Sequence, residues 1–286
     1  MSVATESQRA FGPGNGAMRR RVLATVRVSL PWLRSLGAAA AGAVALYALW
    51  ELGAAISGGS LPRPGRTLLT LQALLSEPFV DRGPNDKGIG LQLTASLVRV
   101  AIGFGAASLV ALPIGILLGA NSLMRAIFDP VVQVLRPVSP LAWFPIGLML
   151  MRSAPNAAVF VVFVCSLWPT VINTAFGVST VPQSHRDVAR VFEFSTFRYL
   201  MKVVVPHSLP HIFVGLRLSL GIAWLVIVAA EMLSGGTGIG FFVWDSWNAL
   251  DLERVLSAIL IIGIVGLVLD RAIAFVGNRF VYTEVD

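Results

Sequence analysis

The chain has 286 residues, of which 56% are hydrophobic and only 13% are charged, and its mean hydropathy is +0.77. Soluble domains carry about a quarter of charged residues, so the composition excludes an ordinary soluble domain and indicates an integral membrane protein. The net charge of +7 is typical of cationic loops on the cytoplasmic side of a membrane. Because no basic face is interleaved with stacking aromatic residues, we expect no nucleic-acid partner.

The first 34 residues are polar and rich in arginine, and they end in a basic amphipathic stretch over residues 18–34. The stretch is longer than the basic region of an ordinary secretory signal, and no convincing cleavage site follows it. We therefore expect residues 1–34 to form a cytoplasmic N-terminal segment, with its basic part on the anionic inner leaflet.

A spanning helix needs about 20 mostly apolar residues, and the hydropathy pattern predicts six within a transmembrane domain over residues 35–282. The fold class is therefore an all-α integral membrane protein. A polar segment with a short helix over residues 67–75 separates the first two spans. Prolines break the third and fourth spans. The predicted spans are 35–56, 95–120, 131–151, 155–178, 212–233 and 255–276.

Between the fourth and fifth spans lies a charged segment, residues 184–210, with four cations and two acids. Six spans place both termini on one side, and the excess of lysine and arginine makes that side, and this segment, cytoplasmic. Ser184 and Asp187 match a capping box, which predicts a helix from residue 185 to about residue 193. Ser195 and Thr196 predict the start of a second helix over 197–205, which Pro206 ends.

The first of these helices is too short to be stable alone, so spans, lipid or a partner must hold it. Lipid alone does not explain its two acids, Asp187 and Glu193, because the inner leaflet is anionic. Phe192 and Phe194 lie at the end of the helix and suit insertion into the groove of a partner protein.

The segment resembles the cytoplasmic "EAA" loop of ABC-importer permeases: Asp187, Val188 and Ala189 match its first three positions, and Leu209 and Pro210 match its end. The resemblance implies a type I ABC-importer permease fold, in which this loop is a coupling helix that docks on an ATPase subunit. The predicted coupling residues are Asp187, Val188, Ala189, Arg190, Phe192 and Glu193.

Glu193 departs from the family pattern, which has a glycine at this position. Glutamate tolerates a positive φ poorly. The sequence therefore predicts that the turn moves toward Phe194 or that the helix is longer.

Several further motifs resemble the nitrate-transport permeases, within a group that also imports taurine, alkanesulfonates, cyanate and bicarbonate. The motifs are "PNDKGIG" (84–90), "VLRPVSPLAWFPIGL" (134–148), "SLWPTVINTAFGV" (166–178), "GIAWLVIVAAEML" (221–233) and "GIGFFVWDSWN" (238–248). The resemblance implies import of a small oxyanion, most of all nitrate or nitrite, with sulfonate or taurine, cyanate and bicarbonate as alternatives.

The same resemblance implies the partners. They are ABC ATPase subunits that bind ATP and Mg, a second permease subunit that makes a homodimer, a periplasmic or lipid-anchored substrate-binding protein, and the lipid of a bacterial inner membrane. The chain itself shows no phosphate-loop motif and no metal-ligand spacing. We therefore predict a transport subunit without cofactor, metal or catalytic residue.

Charged residues inside spans cost about 2.5–3.5 kcal/mol each at mid-bilayer, so they should face a cavity, a partner or water. Arg136 lies among prolines that disturb its helix, and a guanidinium plane suits a planar anion. The alternative is that Arg136 and Arg217 extend to the inner interface. A channel or ion-coupled carrier would instead need an intramembrane relay, for which Glu231 alone is poor. The predicted pathway residues are Arg136, Ser139, Trp143, Asn173 and Arg217.

Overall fold

The computed structural model describes residues 31–83 and 86–280, with the backbone alone for residues 31–36. The predicted N-terminal segment 1–34 therefore lies almost entirely outside the described residues. The chain divides into two compact units, one ending at Pro64 and the other beginning at Gly65. Helices dominate the described residues, whose one extended pairing is an isolated bridge between Asp81 and Lys87.

Eleven α-helices and one π-helical turn make up the described residues. They are α1 (Pro31–Ile56), α2 (Pro64–Ser76), α3 (Ile89–Ala120), α4 (Ser122–Leu135), α5 (Pro140–Met151), α6 (Ala154–Ser179), α7 (Gln183–Val191), α8 (Thr196–Tyr199), the π-helical turn (Leu200–Val204), α9 (Val205–Ser234), α10 (Ile239–Asn248) and α11 (Leu252–Phe280).

The first unit contains α1, a helix long and apolar enough over residues 37–56 to cross a membrane. The chain then turns back on itself, where the indole Nε1 of Trp50 donates a hydrogen bond to the carbonyl of Pro62 (3.1 Å). Glu51 and Arg63 form an ion pair with 3.6 Å between Oε1 and Nε. These two contacts hold the turn that follows the helix.

The core of the second unit is made by α3, α6 and α9. Glycines on α3 lie against α6 in matching order: Gly103 lies by Val162, Gly115 by Thr174 and Gly119 by Val178. The two helices are therefore parallel, and the missing side chains let their backbones approach closely. On the other face of α6, the buried hydroxyls of Thr170 and Ser219 are 2.7 Å apart.

Helix α9 runs antiparallel to α6, because Gly177 lies by Ser208 and Gly215 lies by Asn173. Helix α11 packs antiparallel on α9 in turn, with Trp224 Nε1 donating to the carbonyl of Ile262 at 3.0 Å. Since α3, α6 and α11 share one direction and α9 has the opposite one, the α6–α9 connection and the end of α3 lie at the same end of the bundle.

The structure differs from the predicted third span over 131–151. That region is two helices, α4 and α5, whose axes meet at 100°. Pro137 and Pro140 lack the backbone donors that would continue α4, and Pro140 instead begins α5, where a missing N–H costs little. Among the described residues, five helices are long and apolar enough to cross a membrane, and this bent pair makes up to six.

The prediction that a helix over 197–205 ends at Pro206 is wrong. The helical chain continues from Thr196 through Pro206 and Pro210 to Ser234. The π-helical turn precedes Pro206, and there the N–H of Val205 donates to the carbonyl of Leu200. Pro206 falls in the first turn of α9, where a helix tolerates proline, and packing in a bundle tolerates Pro210.

Candidate functional site

Helix α7 carries the predicted coupling residues at the end of the bundle. The predicted cap at Ser184 is wrong, because α7 begins at Gln183 and Pro182 takes the N-cap position without a side-chain hydrogen bond. Because its ring fixes φ, Pro182 sets the direction in which the chain enters α7, and the helix begins without a side-chain cap bond. Ser195 does cap α8 as predicted, accepting from the N–H of Arg198 at 3.3 Å.

Glu193 ends α7 in the left-handed conformation, with φ +50°. Its N–H donates to the carbonyl of Arg190 (3.0 Å), and the N–H of Phe194 donates to the carbonyl of Ala189 (2.9 Å). These two bonds form a Schellman motif, in which glycine usually takes the position of Glu193. The expectation of a shifted turn or a longer helix is therefore wrong: Glu193 adopts the conformation that the family glycine allows, because the two hydrogen bonds enforce it.

One face of α7 packs on the bundle and the other is open. Ala189 is buried, whereas Val188, Val191 and Phe192 are 54%, 79% and 68% exposed. Phe197 on α8 extends this apolar face with 71% exposure. Neither Val191 nor Phe197 was among the predicted coupling residues, although Val191 lies between two of them and Phe197 begins the next predicted helix. Exposed aromatic side chains on a short helix are suited to bury themselves in a partner.

The charges within the span helices mostly have partners. Arg99 on α3 pairs with Glu231 on α9 (Nη1–Oε1, 2.6 Å). Arg217 on α9 donates two hydrogen bonds to Asp270 on α11, at 2.5 and 2.6 Å. The sequence reasoning missed Asp270, although an acid inside the sixth predicted span was a signal for a partner of Arg217.

Arg125, at the start of α4, has carbonyl partners instead of an acid. Its guanidinium group donates to Leu118 and Gly119 at the end of α3 (3.3 Å each) and to Ala175 on α6 (3.4 Å). A cation near the last carbonyls of a helix satisfies them and complements the helix dipole. Arg125 therefore joins the adjacent ends of two parallel spans.

Arg136 is different, because its guanidinium has no ion pair or hydrogen bond within the described residues. It ends α4 and lines a cavity of about 600 Å³ with Asp129, Gln133 and Ile172. The side chains of Asp129 and Gln133 likewise have no polar partner in the described part of the chain. The three polar residues are spaced four and three apart, which puts them on one helix face.

Of the five predicted pathway residues, Arg136 alone lines this cavity. Arg136 and Ser139 flank the break between α4 and α5, and Trp143 lies partly buried on α5. The amide of Asn173 donates to the carbonyl of Pro169 in its own helix at 2.8 Å. Arg217 faces Asp270 on α11. Asp129 and Gln133 were missed, although their spacing from Arg136 was readable in the sequence.

Span-length helices, a cavity whose arginine has no partner in the described part of the chain, and a short helical segment with exposed phenylalanines are the features of a multi-pass membrane permease subunit. The family described as "Binding-protein-dependent transport system inner membrane component" matches residues 111–282. The chain belongs to this family of ABC-importer permeases, and its predicted membership is confirmed.

Several transport permeases are similar in sequence to this chain over most of its length. It is 45% identical over 239 residues to a nitrate import permease protein of Synechocystis sp., covering 84% of this chain and 87% of that protein. It is 44% identical over 239 residues to a bicarbonate transport system permease protein of Synechococcus elongatus, covering 82% and 86%. A taurine transport system permease protein of Escherichia coli is 30% identical over 211 residues, with 73% and 77% covered.

The fold is shared with solved permeases. An inward-facing structure of the MetNI methionine ABC transporter superposes with a TM-score of 0.59, covering 65% of this chain and 93% of that chain. The identity is 13%, so this likeness concerns the fold alone. It confirms the predicted type I ABC-importer permease architecture.

Proposed function

We propose that this chain forms the translocation pathway of an ATP-driven importer for a small oxyanion, nitrate above all, with nitrite as a related substrate. The observation that carries the proposal is the guanidinium of Arg136, which has no partner among the described residues and lies beside a cavity of about 600 Å³. The 43–45% identity to nitrate import permeases of three cyanobacteria supports the choice of anion.

The chemistry of Arg136 fits nitrate. A guanidinium group is planar and weakly hydrated, and it presents paired donors to planar oxyanions. Arg99 and Arg217 already hold carboxylates, and Arg125 holds carbonyls, so their donors are engaged. The amide of Gln133 adds neutral donors in the same cavity. Arg136 is thus the span-region arginine of the second unit best placed to meet a passing anion.

The energy for import must come from outside this chain. An anion that enters a cell works against about 2.3 kcal/mol per charge for every 100 mV of membrane potential. The sequence has no phosphate-loop motif. We therefore assign ATP and Mg binding, and hydrolysis, to separate ATPase subunits that receive α7. Their contacts would be Asp187, Val188, Arg190, Phe192 and Glu193, whereas Ala189, which was predicted with them, is buried against the bundle and supports the helix from behind.

The remaining partners and the orientation follow from the same assignment. Two copies of this chain form the pathway between them, and a periplasmic or lipid-anchored binding protein delivers the anion. Both termini lie in the cytoplasm, because α1 and the bent pair bring the number of spans to six. The cations of the α7–α9 region, Arg186, Arg190, Arg198 and Lys202, then lie on the inner side.

Bicarbonate is the second candidate, and one observation favours it. The carboxylate of Asp129 lines the same cavity as Arg136. Bicarbonate carries an O–H donor that a carboxylate can accept, whereas nitrate has acceptors only. The 44% identity to a bicarbonate permease is consistent with this alternative.

Uptake of labelled nitrate in a strain lacking this chain, with and without the restored chain, tests the proposal. Nitrite, bicarbonate, cyanate and taurine are added as competitors, and the ATPase subunit is deleted in a parallel strain. Restored uptake that needs the ATPase and is competed by nitrite supports the proposal. Restored uptake that bicarbonate alone abolishes supports the second candidate, and uptake without the ATPase refutes the importer assignment.

A further inference from the structure

A second cavity, of about 280 Å³, lies on the bundle side of α7. It faces away from the exposed phenylalanine surface, because buried Ala189 is part of its wall. Val178 near the end of α6 and Val204 in the π-helical turn supply apolar walls. Ala120, the last residue of α3, also lines it, so the cavity is level with the ends of two spans.

The polar side chains that line this cavity are all hydrogen-bond donors of the kind that hold anions. Arg186 and Arg190 lie one helical turn apart on α7, and Thr196 and Tyr199 contribute hydroxyls from α8. Arginine guanidinium groups and hydroxyls are the usual partners of phosphate oxygens. The lining thus combines two cationic and two neutral donors on an apolar base.

Most of these donors have no polar partner in the part of the chain that the structure describes. Among the described residues, the side chains of Arg186, Thr196 and Tyr199 have no ion pair or hydrogen bond. Arg190 has a loose, exposed contact with Asp187 (3.6 Å), and such pairs contribute little. Neither acid of the segment, Asp187 or Glu193, lines the cavity. The local charge is therefore positive and uncompensated.

The structure assigns this cavity as a binding site for a phosphate group, distinct from the transport cavity at Arg136. Its position at the ends of the spans is the level at which lipid headgroups lie, and basic pockets between spans on the cytoplasmic side bind anionic headgroups. A soluble phosphate compound offers the same chemistry. A phosphate in this site bridges α7 to α8, and so ties the coupling helix to the span that follows it.

The test uses the full chain in detergent with an equal mixture of phosphatidylglycerol and phosphatidylcholine, followed by native mass spectrometry of retained lipid. A parallel arm adds inorganic phosphate and measures both lipid retention and the thermal unfolding midpoint. The variants are Arg186→Gln and Tyr199→Phe. The matched control is Arg198→Gln, since Arg198 does not line the cavity and touches it only through the ring of the lining residue Phe194.

We expect the wild-type chain to retain phosphatidylglycerol selectively, and Arg186→Gln to weaken that retention about tenfold, as the loss of one charge-assisted hydrogen bond does. Arg198→Gln should change it by less than about twofold, because only general charge attraction is lost. If phosphate instead raises the unfolding midpoint of the wild type but not of Arg186→Gln, the ligand is a soluble phosphate.

Two results overturn the assignment. In the first, Arg186→Gln and Tyr199→Phe both retain phosphatidylglycerol and respond to inorganic phosphate as the wild type does. The other is an equal loss in Arg198→Gln and Arg186→Gln, which means that the net charge of the surface, not the cavity, attracts the lipid. Tyr199→Phe removes one oxygen only, so it keeps the test informative if the arginine variant does not fold. Uptake of nitrate plays no part in this measurement, so its outcome is separate from that of the proposed function.

Discussion

The carboxylate of Glu231, near the end of α9, accepts a hydrogen bond from the backbone N–H of Gly240 in α10 at 3.1 Å. The same oxygen accepts from Ser96 on α3 at 2.7 Å, and the other oxygen pairs with Arg99. Arg99 also donates to the carbonyl of Thr237 (2.6 Å). One buried acid therefore joins three helices and holds the glycine-rich loop between α9 and α10.

The first prediction is that loss of Arg99 destabilises the bundle. Arg99→Met leaves Glu231, whose side chain is 1% exposed, without its ion pair. Breaking a buried pair in this way costs about 3–5 kcal/mol. The free energy of unfolding in mild denaturant, measured on the full chain in detergent, should fall by this amount.

The control for that prediction is Arg254→Gln, which breaks an exposed pair with Asp251 (3.3 Å) and should cost less than about 1 kcal/mol. Adding Glu231→Gln to Arg99→Met should recover part of the lost stability, because it removes the buried carboxyl group that has lost its partner. Equal losses for the Arg99 and Arg254 variants would contradict a structural role for the buried pair.

The second prediction concerns the contact between α3 and α6. A methyl group on Gly115 would lie 2.6 Å from Cβ of Thr174, so Gly115→Ala should force the helices apart and cost about 1–3 kcal/mol. At Gly105, on the same helix, no described atom lies within 4 Å of such a methyl. Gly105→Ala should be neutral or stabilising by up to about 1 kcal/mol. Thermal unfolding of the two variants compares them directly.

Hydropathy was sufficient to predict most of the helical bundle, because span helices are long, apolar and locally encoded. It failed at residues 131–151, where composition suits a span but Pro137 and Pro140 bend the chain by 100°. The expectation that proline interrupts a helix failed in the opposite sense: α6 is continuous through Pro169, and a π-helical turn lets the helix continue past Pro206. Proline marks a disturbance in either case, but tertiary packing decides whether the helix turns or continues.

The candidate site was predicted less completely than the fold. Arg136 was identified from its charge and its neighbouring prolines, but Asp129 and Gln133 were found through the cavity that they share with it. Arg217 looked equivalent to Arg136 in the sequence, because both are arginines near the start of a predicted span. They differ because Arg217 has a carboxylate partner, Asp270, which is 53 residues away in the sequence. Helix packing brings the two together, so the sequence alone did not show the pair.

The third prediction is that Glu193→Gly stabilises the end of α7. A residue other than glycine at φ +50° has a conformational cost of about 1 kcal/mol, which glycine avoids. Limited proteolysis of the segment between α6 and α9 should therefore slow in this variant. Val188→Gly, in the interior of α7, is the control and should quicken cleavage, since glycine weakens a helix interior. Faster cleavage of Glu193→Gly would contradict the Schellman turn.

The fourth prediction tests the coupling surface. Phe192→Ala should reduce co-purification of the chain with its ATPase subunit, because truncating an aromatic anchor costs about 2 kcal/mol or more of binding energy. Arg190→Glu should reduce it as well, because it reverses the charge of an exposed side chain on the same helix. The control is Phe79→Ala, since Phe79 is 67% exposed, similar to Phe192, but precedes α3 at the opposite end of the bundle. Association that survives both coupling variants would refute the role of α7.

The fifth prediction distinguishes the roles of Arg136 and Arg217, which the sequence alone could not distinguish. Arg136→Gln should lower nitrate uptake at least about tenfold, because a charged hydrogen bond to the anion is lost while no described ion pair is broken. Its thermal unfolding midpoint should stay near that of the wild type. Arg217→Gln should lower the thermal unfolding midpoint, since it leaves Asp270 without its partner in the span region. The protein that remains folded should keep its nitrate uptake.

Uptake is measured per folded permease in membrane vesicles. Arg136→Lys is a further control that keeps the charge but loses the planar donors. If Arg217→Gln abolishes uptake by folded protein and Arg136→Gln does not, the anion passes Arg217, and the cavity beside Ile172 is not on its path.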